Sequence, residues 1–187
     1  MDRIYNFIKN FLNHPNRYRY LISRLLLKSR LGNYIKIKRN GYTIRLSENN
    51  IASEMFIQGN HFYRNEENFI ISLLKDGSTF VDIGANIGNL SLAASNIITN
   101  GKIFAIEAQS NTYKSILQNI NDNSKDIDTF NLAVSDSKGV VFMTDLNADD
   151  CNFISTDNHK NEISVQADTI DNILNHHDNY HKHVLHS

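Results

Sequence analysis

The chain has no tryptophan, a single proline and a single cysteine in 187 residues. One thiol, Cys151, cannot build a disulfide framework, which points to a reducing compartment and a cytoplasmic protein. Long apolar runs are also missing. No stretch of about 18 apolar residues occurs, so no segment reads as a membrane span. The first residues lack the apolar core and small-residue cleavage site of a secretory signal. What remains is a soluble α/β-sized chain, suited to one domain or to one domain with an extension.

Net charge is scarce as well, at −1, but the balance hides a division. Residues 1–46 hold eleven Lys and Arg against one acid, Asp2, while residues 47–187 hold eight bases and nineteen acids. A basic segment on an acidic body suits a polyanion, a membrane surface or the protein's own acidic half, and composition leaves the three open. Asparagine is frequent. Alongside abundant isoleucine it reads as codon bias, without functional weight.

Residues 1–31 read as two short basic helices separated near His14 and Pro15. In the second, Tyr20, Leu21, Leu25 and Leu26 recur at helical spacing with Arg17, Arg24 and Lys28 among them. Such a helix either covers one side of the next domain or lies on anionic lipid. From Tyr34 to Leu46, apolar and basic residues alternate around Asn40-Gly41, which predicts a hairpin with a type I′ turn. Ile35, Ile37, Ile44 and Leu46 would share its buried face. Residues 65–76 predict a helix capped by Asn65, with Phe69, Ile70, Leu73 and Leu74 as its apolar stripe.

The chemistry is concentrated after that helix. Residues 78–89 form a β-rich run that ends in a turn punctuated by Gly84 and Gly88, and Leu90 to Ile97 continue as a helix. Glycines there let a ligand approach the backbone and meet free N–H groups. Asn86 stands where a third glycine is common, and Asn tolerates left-handed backbone. A second strand, Lys102 to Ile106, ends in Glu107, which lies 23 residues after Gly84. A carboxylate at that tip suits the two hydroxyls of a ribose. The glycines are four apart, not in the G-x-G-x-x-G order of a dinucleotide cradle, and Asp82 would repel a phosphate but attract a sulfonium or ammonium group. S-adenosylmethionine carries all three features.

Residues 80–88, the Ala105-Ile106-Glu107 strand end, residues 131–136 with Gly139, and residues 164–174 resemble the FkbM family of SAM-dependent methyltransferases. The stretch from Ile57 to Phe69 is similar to the segment before that family's first core strand. The resemblance implies a class I, Rossmann-like methyltransferase fold over residues 47–174, preceded by basic helices and a hairpin over 1–46 and followed by a His-rich tail over 175–187. It implies that Asp82, Gly84, Asn86 and Gly88 line the methionine end of the cofactor. Glu107 would hold the ribose, and the end of the third strand near Ala133 would pass the adenine. The implied reaction is O-methylation of a sugar or small-molecule hydroxyl, with no metal and no nucleic acid.

Two departures stand out. Ala108 replaces the proline that commonly follows the acid, and the family's later "D-V-E-G" strand is absent, so only the first half of the sheet is expected. A truncated, non-catalytic cofactor-binding remnant, strands supplied by a partner chain or by the N-terminal extension, and a functional short protein stay open, as does a peripheral protein acting through its basic N-terminus. An open sheet edge would favour self-association. The catalytic base is not identified: His61, Glu67 and Asp136 are candidates, each with a plain structural alternative. His176, His177, His181, His183 and His186 read as an exposed tail and not as a metal site, and Cys151 beside Asp149 and Asp150 as an unreactive thiol.

Overall fold

A computed structural model describes residues 11–29, 31–144 and 162–175, together with Tyr5 and Lys9. Cys151 and the His-rich tail beyond Asn175 lie outside the described residues. The described chain is mixed α/β. Helix α1 (Arg17–Lys28) leads into a hairpin of β1 (Lys36–Lys38) and β2 (Thr43–Arg45), then α2 (Asn50–Gln58) and α3 (Arg64–Leu73). A βαβαβ unit follows: β3 (Thr79–Ile83), α4 (Asn89–Ala94), β4 (Lys102–Ile106), α5 (Ser110–Asn123) and β5 (Asp128–Phe130). Its strands are parallel in the order β3-β4-β5. A second sheet, ordered β6-β8-β7, is built from β6 (Ala133–Val134), β7 (Gly139–Thr144) and β8 (Glu162–Asp168), and α6 (Ile170–Asn175) closes the described chain.

The alternation of β4 divides the core. Ile103 and Ala105 face one side, where Leu92 and Ala93 of α4, Tyr113 and Ile116 of α5, and Ile44 and Met55 pack together. Phe104 and Ile106 face the other, against Phe130, Leu132 and Ile173. Both crossover helices therefore cover the same face, as expected when consecutive parallel strands step in one direction. The far edge of β3 has no neighbour among the described residues, and Ile83 at its end is exposed.

The hairpin forms in the expected register, with Ile37 opposite Ile44. Ile44 and Leu46 are fully buried, each stabilising the fold by about 1.5–3 kcal/mol. Its turn is different from the expectation. Gly41 has φ +80°, but Asn40 does not share a positive φ, so the turn is not type I′. The helix predicted over 65–76 starts and stops earlier, and only part of its expected stripe turns inward: Leu74 packs against the core and Ile70 is half-buried. Phe69 and Leu73 are exposed, whereas Glu67 is buried. Burial is tolerated because the Glu67 carboxylate accepts from the Tyr42 hydroxyl at 2.6 Å and pairs with Arg39. Arg39 also donates to the carbonyls of Gly59 and Phe62. Burial, then the bond to Glu67, pushes the Tyr42 phenol well above its ordinary value. A charged pair thus joins hairpin to helix where periodicity alone places leucines.

One glycine is dictated by crowding. A Cβ on Gly101 would lie 1.9 Å from the Ser78 carbonyl oxygen. The Gly101→Ala variant is expected to lose about 2–3 kcal/mol, because the adjoining backbone must move. Urea denaturation checks this, and an unchanged midpoint would contradict the close approach.

Candidate functional site

After Ile83 the chain turns through Gly84, Ala85, Asn86, Ile87 and Gly88. Three of these five have positive φ: Gly84 at +74°, Asn86 at +52° and Gly88 at +80°. Left-handed backbone costs a residue bearing a Cβ roughly 1–2 kcal/mol, least for Asn. Gly84 and Gly88 are therefore required by conformation. Nothing lies within 4 Å of a Cβ built on Gly84, so the loop is open there, while the corresponding atom on Gly88 would touch Ile116. The helix after the turn is only six residues long.

The turn is sewn to the tip of β4. The amides of Gly84 and Ala85 donate to the Ile106 carbonyl at 2.9 and 3.0 Å. Glu107, the next residue, receives the Asn86 amide on Oε2 at 3.0 Å and the Gln109 amide on Oε1 at 2.8 Å. An ionised carboxylate offers about four acceptor positions, so capacity is left over. Burial pushes Glu107 above the usual carboxylate range, hydrogen bonds from the Gln109, Asn86 and Ala108 amides oppose the rise, and the charge of Asp82 adds to it. Asp82 itself is buried on β3 and accepts the Ser91 hydroxyl at 2.6 Å. Burial raises it as well, against the hydrogen bonds from Ser91. The structure therefore brings Asp82, Gly84, Asn86 and Glu107 together: the loop grips Glu107, and Ser91 of α4 holds Asp82.

Asparagines complete the grip, and composition gave no hint of it. Asn49 caps α2 through Oδ1 and donates from Nδ2 to Asn86 Oδ1 at 2.9 Å. Asn119, fully buried on α5, donates to the Ile87 carbonyl and accepts the Arg45 amide, both at 2.9 Å. One turn later Asn123 holds the amide and carbonyl of Thr43. Asn131 donates to the carbonyls of Glu107 and Ala108. Frequent asparagine is thus the polar mortar between elements and not an incidental composition. The legible signal was the i, i+4 placement of Asn119 and Asn123 on one helix face.

The remaining expected residues fall elsewhere. Ala133 is buried, but it lies on β6, paired with Ala167 of β8. The third parallel strand is β5 and ends at Phe130, so Ala133 belongs to the neighbouring sheet, because the chain turns at Asn131-Leu132. Glu67 is engaged with Arg39 and Tyr42 inside the fold. His61 is exposed in a short 3-10 turn, and Asp136 is an exposed turn acid accepting the hydroxyls of Ser135 and Ser137.

A family model described as Vibrio cholerae RfbT protein matches residues 12–176. No curated protein matches the chain. The family match corrects the FkbM resemblance, which rested on short segments. A physical reason for that error lies in the loop: φ near +75 to +80° at positions 84 and 88 calls for glycine in any strand-turn-helix of this shape. Such a string reports the turn before it reports the family.

Two measurements test this geometry. Asn119→Ala leaves a buried carbonyl and a buried amide unpaired and is expected to cost about 2–3 kcal/mol in urea denaturation. A loss below about 0.5 kcal/mol would remove Asn119 from this role. The raised acids set a pH dependence. A carboxyl raised in the folded state stabilises least when ionised, so the contribution of these two acids to stability is greatest in acid and declines as pH climbs from about 4 through their folded values. Asp82→Asn is expected to flatten that slope and to raise the denaturation midpoint at pH 7, and an unaltered slope would refute it.

Proposed function

The chain belongs to the family of the Vibrio cholerae RfbT protein, and from that membership and the site we propose a methyltransferase that uses S-adenosylmethionine and acts on a hydroxyl of a sugar. The family is associated with O-antigen biosynthesis, and methyl transfer at that coarse level is consistent with it. On this reading the βαβαβ unit is the first half of a class I, Rossmann-like sheet.

The observation that carries the proposal is the Glu107 carboxylate, buried at the tip of β4 and touching the glycine loop through the Asn86 amide at 3.0 Å. This acid, next to open backbone at Gly84, supports a role in accepting ribose hydroxyls. The donor set fits the cofactor. Glu107 retains acceptor capacity for ribose hydroxyls. Asp82, short of water, offers negative charge that favours a sulfonium and an ammonium group. Anions would be disfavoured beside two carboxylates, which argues against a nucleotide phosphate at the same place. When bound, the cofactor supplies an electrophilic methyl group. The chain's part is to bind and orient: Glu107 fixes the sugar end, Asp82 the charged end, and Asn49 holds Asn86 so that the loop keeps its shape.

Calorimetry tests the reading. Glu107→Ala is expected to weaken S-adenosylmethionine binding about 30-fold or more, as two charge-assisted hydrogen bonds are lost. Asp82→Asn should weaken S-adenosylmethionine more than S-adenosylhomocysteine, which lacks the sulfonium charge. The same variant is predicted to be more stable than the parent, so its weaker binding is not a sign of unfolding. Absence of binding heat with the parent protein would overturn the proposal.

A further inference from the structure

Helix α1 faces the wrong way for a helix whose apolar residues serve the core. At 100° per residue, its inward side is formed by Tyr20, Ser23 and Leu27, and Ser23 is buried with no partner for its hydroxyl. The opposite side carries Tyr18, Leu21, Ile22 and Leu25. Of these, Tyr18 is 69%, Ile22 48% and Leu25 59% exposed. The expectation that Tyr20 joins Leu21 and Leu25 on one stripe is therefore corrected: Tyr20 turns in, stacked on His14. The apolar surface continues past the helix through exposed Leu31 and Tyr34.

The rim of this face has one sign. Arg17, Arg24 and Lys28 flank it on one side and Arg19 on the other. None of the four pairs with a carboxylate among the described residues; the guanidinium groups of Arg17, Arg24 and Arg19 lie over Tyr18, Tyr20 and Phe56. By contrast, other cations of the basic segment are spent internally. Arg45 holds Asp122 in a two-pronged bond, Lys36 reaches the same acid, and Arg39 is paired with Glu67. Among the described residues, Arg17, Arg19, Arg24 and Lys28 thus gather positive charge around the exposed apolar strip.

We propose that α1 is a membrane-docking helix that lays Tyr18, Leu21, Ile22 and Leu25 into the surface of an anionic bilayer while Arg17, Arg19, Arg24 and Lys28 meet lipid phosphates. Charge decides the occupant. A second copy seated on this face by a twofold axis would bring arginine against arginine. Nucleic acid would meet the cations but leave the apolar centre in water. A basic-rimmed apolar helix face is satisfied on both counts at an anionic interface, where apolar residues reach about 5–10 Å inward. This inference is independent of methyl transfer, since it uses no residue of the glycine-loop site.

Co-sedimentation of the full chain with lipid vesicles tests it. The chain is expected to pellet with phosphatidylcholine vesicles containing phosphatidylglycerol, less so as salt is raised, and weakly with phosphatidylcholine alone. Ile22→Gln with Leu25→Gln should abolish pelleting. Arg17→Gln, Arg24→Gln and Lys28→Gln should weaken it by about fivefold per cation removed. Arg17, Ile22, Leu25 and Lys28 are exposed and Arg24 is half-buried over Tyr20, so far-UV circular dichroism should match the parent throughout, and the denaturation midpoint of the apolar pair variant should match it as well. Failure of the parent to pellet with anionic vesicles, or pelleting unaffected by the apolar pair, would overturn the proposal. So would light scattering that shows a dimer in the parent and a monomer in the apolar variant, which would assign the face to a second copy.

Discussion

The buried carboxylate of Glu107 organises the site. Placing an acid at the end of a parallel strand, away from water, is unfavourable unless its oxygens are met, and here backbone amides from two directions meet them. Asn86 brings the glycine loop to one oxygen and Gln109 brings the start of α5 to the other. Loop, strand and helix are thereby held at one point. The left-handed backbone at Gly84, Asn86 and Gly88 follows from this convergence, because the loop must double back toward β4 within five residues.

Around that point the structure uses neutral amides where it needs two-way hydrogen bonding without further charge. A lysine or a further aspartate beside Glu107 and Asp82 would alter the charge that the site presents. An asparagine donates and accepts at once, and Asn119 does both between the Ile87 carbonyl and the Arg45 amide. Asn123 similarly substitutes for a neighbouring strand along β2. The edge of the hairpin is thus closed by side chains. In the midst of this network burial raises both Asp82 and Glu107, so holding their charge there works against stability.

The basic segment is put to two uses. Part of it is structural. Burial works against the charge on Asp122, but bonds from Lys36 and Arg45 outweigh this and hold the acid below its ordinary range. Arg39 fastens the hairpin to α3 through Glu67. Four more of its cations, Arg17, Arg19, Arg24 and Lys28, lie on α1, whose apolar side is turned to the outside. Among the described residues, no helix is long and apolar enough to cross a membrane, so contact of the proposed kind is with a surface.

Local rules made much of this legible. Alternation of apolar and basic residues placed the hairpin, and Ile37 and Ile44 pair as the period of two requires. Glycine at 84 and 88, Asn at 86 and an acid at 107 were readable as a strand-turn-helix-strand site, because positive φ and strand ends restrict residue choice over a few positions. What failed depended on distant partners. Phe69 and Leu73 looked like core residues, yet Glu67 is buried, since its fate rests on Arg39 and Tyr42 more than twenty residues away. Ala133 looked like the end of the third parallel strand but pairs with Ala167, a partner that only β8 supplies. The asparagines looked like background. By itself the sequence determined where turns, strands and acidic tips occur, because those depend on backbone conformation and short periods. Only the tertiary structure decided which polar groups are buried, which helix face looks outward and which strand joins which sheet, because each depends on what packing brings alongside.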